Sequence, residues 1–205
     1  MKSSSPGRDL GRNNLCYNYP MNNEQNSGLQ TGDLPGNNPV ELTSSDGEVV
    51  LRQFTPQDAE EIFALINRNR GHLSQHGENT ANRYPTLESV RESIENPKNP
   101  NRLRFAIRNR KGQFIGSINL TPDTENTKQA EVGCYLGAEF SKQGYMTRAL
   151  EMVTTYGFQN LGYETIYGDV VETNTASSNA LLRNGYRQAS RFNGKIRYTK
   201  QKIVT

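Results

Sequence analysis

The stretch "SKQGYMTRAL", residues Ser141 to Leu150, places a glycine in a short polar loop directly before an amphipathic helix. The first amides of a helix have no partner within it and carry partial positive charge, so they attract anions. Gly144 lets the backbone approach such an anion closely, and Lys142 adds positive charge nearby. A tight strand-to-helix turn without a ligand explains the same residues, and the loop lacks the glycine patterns of nucleotide hydrolases and dinucleotide-binding folds. The stretch therefore indicates a phosphate site only together with its surroundings.

Periodic runs on both sides of this stretch predict an α/β domain. Upstream, strand patterns occupy "EVVLRQF", "RLRFAIRN", "QFIGSINL" and "AEVGCYLG", with two helices between the first and the second. Downstream, "TIYGDVVE" reads as a strand, "NTASSNALLRNGY" contains a short helix, and two last strands flank the hairpin dipeptide Asn193-Gly194. The order β-α-α-β-β-β-α-β-α-β-β predicts one domain over residues 47–205, with a mixed sheet of about seven strands and helices on both faces.

The remaining composition excludes several classes of protein. Residues 1–46 are rich in Asn, Gly, Ser and Pro and predict a disordered polar tail. The net charge is +3, with no cluster evident, so no nucleic-acid partner is expected. No run approaches the roughly 20 apolar residues of a membrane span, and the N-terminus has no apolar signal core, so a cytoplasmic protein is expected. Two cysteines make no disulfide framework, and no spacing indicates a metal site.

The run from Ala130 to Ser190 resembles the acetyl-CoA-binding core of the GNAT superfamily, the acyl-CoA-dependent N-acyltransferases. More narrowly, it resembles the RimJ/RimL type of ribosomal-protein N-acetyltransferase. That branch typically shows "AEIGYWL", "GKGYMTEAL", and "N-x-x-S" before "RNGF". The counterparts here are "AEVGCYL", "KQGYMTRAL", Asn174 to Ser177, and "RNGY". The resemblance extends over roughly Glu48 to Tyr198. It implies a GNAT-like fold with a central pair of splayed parallel strands, and acetyl-CoA as co-substrate without a metal.

The same resemblance implies a role for each piece of the cofactor site. The loop backbone would grip the CoA pyrophosphate through Lys142, Gln143, Gly144, Tyr145, Met146 and Thr147. The strand with Gly133, Cys134 and Tyr135 would pair with the pantetheine arm, and the amide of Cys134 or Tyr135 would stabilise the developing oxyanion. Asn174 would donate a hydrogen bond to the cofactor beyond the second splayed strand.

Acyl transfer to an amine also requires proton transfers. Glu131 is the candidate base, acting through a water, because it lies on the cofactor-facing strand; an ordinary strand-end carboxylate facing solvent is the equally weighted alternative. Ser177 resembles the serine that this branch places near the sulfur, where it would protonate the departing thiolate, and it is also a good helix-capping residue. Leu181 stands where many GNAT enzymes place a tyrosine acid. Arg148, a cation at a helix start, fits a phosphate neighbour.

The sequence leaves the acceptor open. His72 and His76 lie i, i+4 apart, but without a third ligand they are expected to line the acceptor cleft or to lie near it.

The favoured function is acetyl transfer from acetyl-CoA to a primary amine by direct attack on the thioester. The amine would belong to a protein N-terminus or to a small molecule such as a polyamine or aminoglycoside. The alternatives are a CoA-binding regulatory module without catalytic activity and, less favoured, a basic RNA- or ribosome-binding adaptor. The chain is expected to be a monomer or homodimer.

Overall fold

A computed structural model describes residues 39–77 and 80–203 of the chain. Its centre is one eight-stranded sheet with the order β1-β2-β3-β4-β5-β6-β8-β7. The strands are β1 (Glu41–Thr43), β2 (Val49–Gln53), β3 (Leu103–Asn109), β4 (Phe114–Pro122), β5 (Gln129–Leu136), β6 (Thr165–Val171), β7 (Arg187–Phe192) and β8 (Lys195–Gln201). The predicted mixed sheet is confirmed. The additional strand is β1, which lies within the segment predicted as tail, and residues 1–38 of that tail lie outside the described residues.

The short strand β1 was not predicted from the sequence, and the reason is physical. It has only three residues, and Leu42, its one branched apolar residue, is paired with Leu51 of β2. The backbone pairing with β2, rather than an alternating apolar pattern, therefore defines this edge strand.

Six α-helices in the described part of the chain accompany the sheet. They are α1 (Ala59–Arg68), α2 (Arg70–Leu73), α3 (Thr80–Arg83), α4 (Leu87–Glu95), α5 (Tyr145–Gln159) and α6 (Thr175–Arg183). A capping box precedes α1, since the N–H and hydroxyl of Thr55 both donate to Asp58. The sequence patterns did not predict the short helices α2 and α3, because four residues are too few to show a helical period. No helix among the described residues is long and apolar enough to cross a membrane.

Helices cover both faces of the sheet, as predicted. On one face, α5 and α6 pack on a core that includes Phe105, Leu120, Leu150 and Ile166. On the other face, α1 and α4 enclose a second core with apolar residues of β3 and β4. Each side of the sheet therefore has its own apolar layer.

Asp58 joins α1 to the sheet on the second face. Its carboxylate is 1% exposed and accepts hydrogen bonds from Arg108 of β3 at 2.7 Å and from Arg52 of β2. Burial alone would raise the pKa of Asp58, but the hydrogen bonds from Thr55 and Arg108, together with the charge of Arg52, hold that pKa below its ordinary value. Asp58 is therefore ionised at neutral pH.

The two central strands diverge after a short parallel contact. Residues Gln129, Ala130 and Glu131 of β5 pair with Thr165, Ile166 and Tyr167 of β6. Beyond Glu131 the two strands are no longer paired, although β5 stays paired with β4 up to Leu136 and β6 stays paired with β8 up to Val171. The predicted splayed pair is thus present, and it leaves one edge of β5 open.

Candidate active site

The glycine loop before α5 adopts a left-handed backbone at two positions. Gly144 is the N-cap residue with φ 79°, and Lys142 has φ 61°. The conformation at Gly144 strongly favours glycine, because a Cβ there would crowd its own backbone. The first intrahelical bond runs from the N–H of Arg148 to the C=O of Gly144. The amides of Tyr145, Met146 and Thr147 therefore precede the helical hydrogen-bond ladder and form an anion-attracting helix start.

Arg148 has an anionic partner within the chain. Its Nε donates to Asp46 Oδ2 at 2.6 Å. A hydrogen bond from the Ser44 hydroxyl, and then the one from Arg148, lower the pKa of Asp46 to about 2, so this carboxylate stays charged. Arg148, which was predicted to lie near a phosphate, thus has its charge balanced by Asp46.

A cavity of about 760 Å³ lies between the start of α5, the open end of β5 and the start of α6. That volume is within the range of small-molecule sites. Its walls consist of His72, Leu73, Gln75, His76, Thr80, Cys134, Tyr135, Leu136, Phe140, Ser141, Lys142, Gly144, Tyr145, Met146, Thr147, Asn174, Thr175, Ala176, Ser177, Asn179, Ala180 and Arg183. Among these described residues there is no carboxylate, while Lys142 and Arg183 are cationic. The wall therefore suits an anionic ligand with an apolar portion.

The open edge of β5 presents the backbone of Cys134. The carbonyl of Tyr135 faces β4, since a Cβ on Gly116 would collide with it. The carbonyl of Val132 faces β6, since its oxygen would lie 3.6 Å from a Cβ placed on Gly168 of that strand. Because peptide groups alternate along a strand, the N–H and C=O of Cys134 point into the splay.

Two of the predicted cofactor residues do not line the cavity. Gly133 belongs to the β4 side of β5, where its carbonyl accepts a 2.8 Å hydrogen bond from Asn119 Nδ2. The Gln143 side chain folds away from the cavity and donates to the carbonyl of Glu139 at 2.8 Å. The other eight predicted cofactor residues are brought together, namely Cys134, Tyr135, Lys142, Gly144, Tyr145, Met146, Thr147 and Asn174.

Asn174 and Ser177 form the start of α6 at the opposite wall. Asn174 is the N-cap, and its Oδ1 accepts the N–H of Ser177 at 3.1 Å. Asn174, not Ser177, thus caps α6, and the half-buried Ser177 lines the cavity from the first turn. Leu181 of the same helix is 5% exposed and belongs to the core.

Glu131 marks the point where β5 and β6 part. It is the last residue of β5 that pairs with β6, and its partner there is Tyr167. Partial burial raises the pKa of Glu131, and the nearby Asp169 raises it further, while Arg102, Lys195 and Arg197 oppose the rise. The residue still has access to solvent, and it precedes the cavity wall at Cys134 by three strand residues, which is about 10 Å. The carboxylate thus lies beside the cavity rather than in its wall.

The two histidines line the cavity, but they do not form a helical pair. Helix α2 ends at Leu73, and His76 follows in a turn with φ 55°. Its Nδ1 lies 2.9 Å from the hydroxyl of Thr173. Nothing in the part of the chain that the structure describes groups three His, Cys, Asp or Glu side chains around a metal position.

Arg183 also lines the cavity, and it was not identified from the sequence. The spacing of Ala176, Asn179, Ala180 and Arg183 on one face of α6 is the signal that could have identified it.

Comparison with known proteins agrees with this geometry. The family model described as "Acetyltransferase (GNAT) domain" matches residues 48–187, more than half of the chain. YoaA of Bacillus subtilis (strain 168), an uncharacterised N-acetyltransferase, is 29% identical over 152 residues, which cover 68% of this chain and 80% of YoaA.

Solved structures share the fold. The ribosomal L7/L12 alpha-N-protein acetyltransferase RimL, in complex with coenzyme A, has a TM-score of 0.68 at 18% identity over 79% of this chain and 98% of RimL. The ribosomal-protein-S5-alanine acetyltransferase of Vibrio fischeri has a TM-score of 0.63 at 20% identity over 79% of this chain and 96% of its own. These neighbours are of the RimJ/RimL kind that the sequence suggested. The chain therefore belongs to the GNAT acetyltransferase family and is an acetyl-CoA-dependent N-acetyltransferase.

Proposed function

We propose that this enzyme acetylates a primary amine by direct attack on the thioester of acetyl-CoA, bound between the start of α5 and the open edge of β5. The observation that carries the proposal is the cavity itself, which joins an anion-attracting helix start to the edge of β5 that diverges from β6. The donor set fits the co-substrate, because the amides of a helix start suit phosphates and a splayed strand edge suits an amide-containing arm. When bound, acetyl-CoA supplies the reactive acyl group.

The phosphate end of the site would be held by the backbone of the glycine loop. The amides of Tyr145, Met146 and Thr147 would donate to the diphosphate, and Lys142 would add a charge. Arg183 at the cavity wall is a second cation for phosphate groups. Asn174 would donate through its Nδ2, because its Oδ1 already caps α6.

The Cys134 amide is the oxyanion donor in this proposal. It points into the splay, whereas the peptide group of Tyr135 faces β4. A backbone donor fixed by a paired strand needs no reorganisation when negative charge develops on the thioester oxygen.

Glu131 would accept the proton of the amine through a water. Its position beside the cavity leaves room for that water, and its raised pKa makes it a stronger base than an ordinary glutamate. The hydroxyl of Ser177 would donate a proton to the departing thiolate from the opposite wall. We place the acceptor, a protein N-terminus or a small amine, on the Glu131 side of the splay. The enzyme would act in the cytoplasm, as a monomer or homodimer.

Release of free thiol from acetyl-CoA tests this proposal. The assay would use a panel of peptides with free N-termini beside polyamines and aminoglycosides, and we expect release with at least one amine. In parallel, acetyl-CoA at about 100 times its dissociation constant should stabilise the protein by about 2.7 kcal/mol. Stabilisation without thiol release from any amine would favour a non-catalytic CoA-binding module. The absence of both stabilisation and release would refute the site itself.

A further inference from the structure

The positive charge of the chain is concentrated in its last two strands. Residues 187–205 contain six Lys and Arg residues and no Asp or Glu, whereas the preceding 186 residues contain 18 Lys and Arg against 21 Asp and Glu. The net charge of +3 is thus the sum of a basic hairpin and a slightly acidic remainder. The basic hairpin is formed by β7 and β8, with Asn193 and Gly194 in its turn.

One face of the basic hairpin continues the sheet face that bears Glu131. Glu131 is paired with Tyr167, Tyr167 with Thr199, and Thr199 with Arg187, so these four residues form a row across β5, β6, β8 and β7. Directly paired residues point to the same side of a sheet. Arg197 and Lys195 lie on that side too, because they are two and four positions from Thr199 along β8 and side chains alternate between faces. We call this surface the Glu131 face.

The Glu131 face is open over the basic hairpin. All six residues of β7 are exposed, and Phe192 at its end is 37% exposed. Helix α6 packs on the opposite face of the sheet, where Leu181 lies against Gly168. With α6 on the opposite face and β7 exposed throughout, this half of the Glu131 face is accessible from solvent.

Two cations at the outer part of the Glu131 face differ from Arg197 in their surroundings. Arg197 is held by Asp169 through two hydrogen bonds of 2.7 Å, and its guanidinium lies 4.1 Å from the ring centre of Tyr167. In contrast, neither Lys195 nor Arg187 forms a salt bridge with any carboxylate among residues 39–77 and 80–203. Lys195 nevertheless acts on Glu131, since its charge is one of those that oppose the rise in the pKa of that carboxyl.

We propose that the acceptor is a polypeptide whose N-terminal segment is acidic, and that this segment docks on the Glu131 face over the basic hairpin while its terminal amine lies at Glu131. The inference rests on the proposed function and specifies its substrate class. Charge complementarity selects the occupant, because Lys195 and Arg187 attract carboxylates and repel polyamines and aminoglycosides. The exposed Phe192 adds an apolar contact at the edge.

The dimensions of the sheet indicate which acceptor positions meet these cations. Three strand spacings separate Glu131 from Arg187, which is roughly 14 Å at about 4.8 Å each. An extended peptide advances about 3.3 Å per residue, so it covers this distance in about four residues. Acidic side chains near the fourth to sixth positions of the acceptor are therefore the ones that we expect to matter.

The test compares three peptides of eight residues with the same first three residues and a free N-terminus. Positions four to six are acidic in the first, neutral in the second and basic in the third. We expect kcat/KM to decrease in that order, and we expect the acidic peptide to bind the CoA-loaded protein most tightly by fluorescence anisotropy. The double variant Lys195→Glu/Arg187→Glu should lower kcat/KM for the acidic peptide on the order of 10-fold, because two attractive exposed pairs become repulsive. Because Lys195 also acts on the pKa of Glu131, the variant can change the rate for all three peptides alike, so the deciding quantity is kcat/KM for the acidic peptide divided by that for the neutral peptide. This ratio should fall on the order of 10-fold.

A matched control carries the same change of charge elsewhere. Lys98→Glu/Lys111→Glu alters two lysines outside the sheet face and should leave the peptide order unchanged. Equal binding and equal kcat/KM for acidic and basic peptides would overturn the proposal. A result with RNA would overturn it too: a short single-stranded RNA binds the wild type and not the Lys195→Glu/Arg187→Glu variant, while that variant keeps the wild-type order of kcat/KM among the three peptides. If no amine releases thiol, the proposed function fails, whereas the anisotropy series still decides the docking surface.

Discussion

Replacing Gly144 by alanine tests the role of the loop before α5. Gly144 has φ 79°, where an L-residue is strained by about 1–2 kcal/mol. The new Cβ would also lie 2.5 Å from Nη1 of Arg148, a side chain already tied to Asp46. Either the loop keeps its shape and the protein loses stability, or the loop turns and the first amides of α5 change direction.

The same helix provides a matched control at its other end. Gly162, which follows α5, has φ 72°, and a Cβ added there would have nothing within 4 Å. Gly162→Ala should therefore carry a similar backbone strain of about 1–2 kcal/mol. Because Gly162 is not part of the cavity wall, this variant should bind CoA as the wild type does.

The two variants separate stability from ligand binding. We expect urea denaturation to show a loss of about 1–2 kcal/mol in both. CoA affinity should fall only in Gly144→Ala, by about 10- to 100-fold, because one hydrogen bond to a charged phosphate contributes about 1.5–3 kcal/mol. Isothermal titration with CoA measures the difference. Wild-type CoA affinity in Gly144→Ala would refute the role of the loop. An equal loss of CoA affinity in both variants would assign the effect to the helix as a whole.

Other predictions concern the base and the scaffold. Glu131→Gln should lower the amine-dependent rate by about 100-fold or more and leave CoA affinity within about twofold. It should also remove the acid limb of the pH–rate profile, whose midpoint in the wild type lies above the pKa of an ordinary glutamate because the pKa of Glu131 is raised. Unchanged turnover would exclude Glu131 as the base. Asp58→Ala should lower the free energy of unfolding by about 3 kcal/mol, because it leaves Arg108 without its buried partner; a loss below about 1 kcal/mol would contradict this. Since the pKa of Asp58 is lowered on folding, its contribution is present above about pH 4 and is lost as the pH falls through the folded-state pKa, which acid denaturation of wild type and variant would show. Tyr186→Phe should lose about 1–2 kcal/mol in urea denaturation, because the buried Thr154 hydroxyl loses its 2.6 Å partner, and unchanged stability would argue against that bond.

The sequence predicted the architecture where its patterns were long. The alternation in "RLRFAIRN" and the helical period after Gly144 gave β3 and α5 within a residue or two. Strand β1 and helices α2 and α3 were missed, because three or four residues are too few to show a period. The i, i+4 spacing of His72 and His76 would place both side chains on one face of a helix, but the left-handed backbone at His76 prevents that arrangement.

The site was predicted in part, and the differences have local causes. The loop and Asn174, which the resemblance predicted as cofactor contacts, line the cavity, but the resemblance could not show that Gln143 folds back on Glu139 or that Gly133 faces β4. Those outcomes depend on side-chain contacts and strand register, which composition does not encode. Likewise, a whole-chain net charge of +3 concealed the basic hairpin, because an acidic remainder cancels half of its charge.

The most direct test of the central claim is a crystal structure of the protein with bound CoA. We predict diphosphate oxygens about 3 Å from the amides that follow Gly144, and the pantetheine arm along the open edge of β5 at Cys134. A diphosphate bound elsewhere, or an arm that leaves the gap between β5 and β6 empty, would contradict this claim.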